Sequence, residues 1–157
     1  MRTVFAALML SAAVATPGAL AQTVPPAEAG LQSLVAEVRA DKRAYVGNAL
    51  KLTDEEAKRF WPIYDGYQRS VDANTRRMTR MVEDVVAVGN GTTDAYAKNL
   101  ASQYLIAYDD EARDWRRLQK SVMRALPAHK AVRYMQIESK LRAVRDYEHA
   151  SAMPLLK

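Results

Sequence analysis

From residue 31 onward, apolar side chains return every three or four positions, and no stretch alternates as a strand would. Leu31, Leu34, Val35 and Val38, then Tyr45, Val46, Ala49 and Leu50, trace a first helical face. Asp41 follows Ala40 and offers a point where this helix stops and a second short piece restarts. Phe60, Tyr64, Tyr67, Val71, Asn74, Met78, Met81, Val85 and Val88 step by four and three, a heptad seam interrupted at Asn74. A third seam runs Ala97, Ala101, Tyr104, Tyr108, Glu111, Trp115, Leu118, Val122 and Ala125. A fourth carries Ala131, Tyr134, Met135, Ile137, Leu141, Val144 and Tyr147. The pattern predicts an all-α chain of four helices. Short connections favour antiparallel neighbours, hence long antiparallel hairpins or an open bundle.

The helix ends carry their own signals. Thr53 can accept the free N–H three residues on, and Glu56 can reach back to the Thr53 N–H, completing a capping box. Asp54, Glu55 and Glu56 place negative charge at the positive end of the helix dipole. A helix from Asp54 to Val88 spans roughly 50 Å, and Pro62 inside it predicts a kink. Gly89-Asn90-Gly91 stops it, Thr92 or Thr93 caps the next, and Pro127 separates the third from the fourth. Phe60, Trp61, Tyr64 and Tyr67 are expected to form an aromatic knot with Trp61 largely shielded. The tail Leu155-Leu156 is expected to fold back onto the body.

The first 21 residues read as a signal peptide. Arg2 precedes an apolar run from Val4 to Val14, and Ala19-Leu20-Ala21 fits the small-x-small rule. Cleavage after Ala21 leaves Gln22 as the new N-terminus, a flexible leader over 22–30, and a single helical domain over 31–157. The apolar run is shorter than the roughly 20 residues a membrane span needs, so no stable membrane insertion is expected. The chain is therefore expected in the periplasm. Its lack of cysteine removes disulfides, thiol nucleophiles and thiolate metal sites. Net charge is +5. In an exported protein this favours acidic polypeptides or anionic envelope surfaces over nucleic acid.

Candidate chemistry is sparse. His129 and His149 are about 20 residues apart on one helix, roughly 30 Å, and cannot share an ion within one chain. Asp109-Asp110-Glu111 reads as a solvated face, without the Glu-x-x-His units of a carboxylate-bridged metal bundle. No catalytic residue, metal or cofactor is expected, and the chain reads as a non-enzyme.

Two helix starts look like weak copies of each other. Leu52-Thr53-Asp54-Glu55-Glu56 precedes Lys58-Arg59-Phe60, and Leu126-Pro127-Ala128-His129-Lys130 precedes Val132-Arg133-Tyr134. With the signal peptide and the small basic helical chain, this resembles the Spy/CpxP (LTXXQ) family of periplasmic envelope-stress proteins. Leu52 and Thr53 match the motif, Glu56 stands where it has glutamine, and Pro127 where it has threonine. The resemblance implies a homodimeric cradle of antiparallel helices whose basic, apolar surface shields unfolded envelope proteins without ATP. Arg76, Arg77 and Arg80 around Met78 and Met81, and Arg116, Arg117 and Lys120 near Trp115, are the candidate client-binding residues. The other reading is a non-chaperone interaction or sensor-inhibitor module docking on an envelope signalling protein.

Overall fold

The structure, a computed structural model, describes residues 26–156. The stretch read as a signal peptide, the expected cleavage site at Ala21-Gln22 and the first part of the expected leader lie outside the described residues. Four helices follow in order: α1 (Pro26–Leu50), α2 (Asp54–Val88), α3 (Asp94–Ala125) and α4 (Ala128–Ala152). There is no strand among the described residues, and the all-α expectation holds. α1 begins at Pro26, inside the stretch whose composition reads as leader. Proline suits a first helical turn, where its missing N–H has no partner to lose. None of the four helices is long and apolar enough to cross a membrane.

The capping box forms as its residues dictate. Thr53 Oγ accepts from Glu56 N at 3.3 Å, and Glu56 Oε2 accepts from Thr53 N at 2.9 Å. Such a cap is worth about 1 kcal/mol. α2 then continues through Pro62 to Gly89, which closes it at φ +54 with its N–H on Val85 O. Thr93, and not Thr92, caps α3 by accepting from Tyr96 N.

Side-chain pairs fix how the helices run. Phe60, Tyr64 and Tyr67 near the start of α2 share a core with Leu118, Val122 and Ala125 near the end of α3. Met78, Met81 and Val85 at the far end of α2 pack with Leu100 and Ala107 early in α3. Those two helices are therefore antiparallel. α1 and α4 are likewise antiparallel: Arg39 pairs with Glu148, Lys42 with Glu138, and Lys130 reaches Lys51 O.

The first core is the aromatic knot. Phe60 and Tyr134 are fully buried, their rings meeting edge to face at 5.0 Å. Trp61 is half-buried rather than shielded, lying against Gly47 with the Arg43 guanidinium 4.1 Å above its ring. Burial pushes the Tyr64 hydroxyl up to about 12, and raises Tyr67 and Tyr134 further. A tyrosine whose folded pKa is raised adds stability below its unfolded value near 10, and that stability is lost as pH climbs through the folded value. Titration followed at 295 nm checks this. The buried three should ionise only together with loss of helical circular dichroism. Smooth titration of those three on an intact helical signal would show the knot to be open.

The tail meets the expectation only in part. Met153 packs against the second core, whereas Leu155 is 91% exposed and Leu156 is exposed as well. Pro154 ends the helix and, with Leu155, bounds a shallow cleft against Val85, Val86 and Gly89 at the end of α2.

Candidate functional site

Between the two apolar cores lies a polar waist. α2 contributes Gln68, Asn74 and Arg77; α3 contributes Asp110, Glu111 and Asp114; α4 contributes Glu138, Arg142 and Arg145. Glu111 is buried and accepts ion pairs from Arg142 at 2.9 Å and Arg145 at 2.7 Å. Asp110 is held by Arg77 at 2.9 Å and Arg113 at 2.6 Å, and those two guanidinium groups draw its carboxyl below the usual range. Burial, and then the Glu111 charge, raise Asp146 beside them. The expectation that Asp109-Asp110-Glu111 forms a solvated face is corrected for two of the three. Only Asp109 is exposed, because the helical turn points Asp110 and Glu111 at cations on α2 and α4.

A trough opens over the waist between α2 and α3, with Arg145 of α4 lining one end. One end is a cleft of about 130 Å³ near Asn74 and Arg77, the other a cleft of about 260 Å³ near Pro62, Gly66 and Arg117. Tyr67, Ser70 and Asp114 line both, so the two are continuous. The α2 bank reads Arg59, Pro62, Gly66, Arg69, Ala73, Arg76 and Arg80, stepping by three and four. Small residues keep the trough open and the four arginines are exposed. The α3 bank reads Arg113, Arg117, Lys120 and Arg124 at the same steps, all exposed. From Arg59 to Arg80 the basic border runs for roughly 30 Å.

The sequence-derived candidates divide on this map. Arg117 lines the trough, and Arg76, Arg80 and Lys120 are exposed on the helical faces beside it. Arg77 is half-buried and bound to Asp110. Met78 and Met81 are core residues at 6% and 1% exposure, because the α2 seam turns them onto α3. They are corrected here from contact residues to packing residues. Arg116 belongs to the next exposed face of α3, where Leu105 and Tyr108 are each more than half exposed and Met123 nearly so. Arg59 and Arg69 escaped sequence reasoning, although the three-and-four spacing that finds them is present in the chain.

The two helix starts that look alike in sequence meet in space. Lys130 Nζ, in the first turn of α4, donates to Glu56 Oε2 at 2.6 Å and to Lys51 O at 2.7 Å. That ion pair, with the Thr53 N–H, lowers the Glu56 pKa. Leu52, Thr53 and Glu56 thus clamp the end of the bundle. No model of a known family matches the chain, and neither curated proteins nor solved structures gave a match.

Proposed function

We propose that this chain is a periplasmic, Spy/CpxP-like binding protein that holds unfolded clients without ATP and catalyses no reaction. What supports the reading is the α2–α3 trough: two banks of exposed cations beside the apolar face of Leu105, Tyr108 and Met123. An unfolded chain offers both carboxylates and apolar side chains. Cations speed its capture, and apolar contact holds it. The resemblance of Leu52-Thr53 and the second helix start to the LTXXQ pattern points the same way, and in that family's manner the working form would be a homodimer. Residues 1–21 would direct export and be removed after Ala21.

The test is stopped-flow capture of a reduced, unfolded client across a salt series. Between 0.1 M and 1 M salt the Debye length falls from about 10 Å to about 3 Å, so the association rate should fall at least about tenfold. Arg76→Glu with Arg80→Glu should reproduce that loss at low salt, with melting temperature unchanged because both side chains are exposed. Equal association rates for wild type and variant at low salt would sink the basic-trough reading. A chain that binds one folded envelope protein tightly, yet leaves client aggregation untouched, would be a docking module instead.

A further inference from the structure

α1 is two pieces with unequal attachments. Asp41 leaves helical geometry at φ −157 and ψ 96, and its Oδ1 accepts from Ala44 N at 2.9 Å, an N-cap for the piece that follows. Residues 42–50 therefore start a helix of their own and need nothing upstream. They are also locked down: Val46 and Leu50 are in the first core, and Lys42 reaches both Glu138 and Gln68. Upstream of Asp41 the attachments thin out. Of the side chains described from Gly30 to Ala40, only Leu34 is buried, and it belongs to neither core. The ion pair from Arg39 to Glu148 joins side chains that are 71% and 50% exposed, a contact of little net worth. An open hollow of about 520 Å³ separates Glu37, Asp41, Tyr45 and Asn48 from Arg133 at the joint itself.

We propose that Pro26–Ala40 is a strap hinged at Asp41. It swings off the bundle while residues 42–50 stay in the core, and its stripe of Leu31, Leu34, Val35 and Val38 then grips an apolar stretch of a captured client. The grip rests on the client-binding reading; the hinge does not. In the closed state those four side chains are spent on α1's own packing, with Leu34 buried and the other three half-buried. Opening makes them available together, at the i, i+3, i+4, i+7 spacing that an amphipathic helix uses to hold a partner.

Hydrogen exchange on the whole mature chain, without client, tests the hinge. Amides of residues 45–50 should be protected at least about 100-fold more than those of 31–40, although both belong to α1. Leu34→Glu should speed exchange in 31–40 alone. Protection equal within about threefold on the two sides of Asp41 would overturn the hinge. The grip is read from client dissociation: changing Leu31, Leu34, Val35 and Val38 to serine should raise the off-rate at least about tenfold with the on-rate unchanged. An unchanged off-rate overturns the grip and leaves the hinge standing. A wild-type chain that captures no client overturns the grip and the client reading together, while the exchange result still decides the hinge.

Discussion

Phe60→Ala should cost about 3–5 kcal/mol of folding stability, the range for truncating a buried aromatic. The side chain is fully buried in a core to which all four helices contribute. Its ring contacts Trp61 at 5.1 Å, Tyr64 at 6.0 Å and Tyr134 at 5.0 Å. Alanine leaves a cavity that helices pinned from both sides cannot close. Domains of this size have only about 5–15 kcal/mol in hand, so the variant should unfold at much lower guanidinium concentration. Tyr108→Ala, on the exposed face of α3, is the matched control and should stay within about 0.5 kcal/mol of wild type. A Phe60→Ala cost below about 1 kcal/mol would mean the knot is not what joins α2 to α4.

The second large effect concerns a charge with nowhere to go. Glu138 is completely buried, and its carboxylate is held by Lys42 Nζ at 3.0 Å and Gln68 Nε2 at 3.5 Å. Lys42→Met removes the cation and strands the carboxylate, which typically costs about 3–5 kcal/mol. Removing both charges, with Lys42→Met and Glu138→Leu, should recover most of that loss, since a buried pair is worth little over apolar side chains of similar volume. Denaturation of the two single variants and the double one closes the cycle. If Lys42→Met is no worse than the double variant, solvent or another donor satisfies Glu138.

Much of this fold can be read from local residue chemistry. Thr53 with Glu56, Gly89 and Pro127 mark helix ends because caps and stops act over three or four residues. The α2 and α3 seams are legible for a related reason, since a heptad pattern records which face is turned inward. Long-range charge partners leave no such trace. Nothing near Lys42 in the chain announces Glu138, ninety-six positions away, and nothing near Glu56 announces Lys130. A partial signal did exist: Glu111 sits on the α3 seam among apolar residues, and an acid in that place demands a buried cation. Met78 and Met81 show the opposite hazard. Arginines on either side make them look like a contact surface, while their own seam positions put them in the core. The trough was only half legible, because its cations could be listed from the chain but its banks appear only once α2 and α3 are set side by side.

The polar waist has a consequence for which pairing of helices this chain accepts. Heptad seams repeat every seven residues, so two long helices can slide by a heptad and still bring apolar faces together. Here such a slip would carry Asp110 and Glu111 away from Arg77, Arg142 and Arg145 and set their carboxylates against one of the two apolar cores. Stranding the buried Glu111 carboxylate alone would cost about 3–5 kcal/mol. The ion pairs at the middle of the molecule therefore act as a key. They add little to the depth of the native state, and they remove the neighbouring alignments that a uniformly apolar α2–α3 seam would leave close in energy.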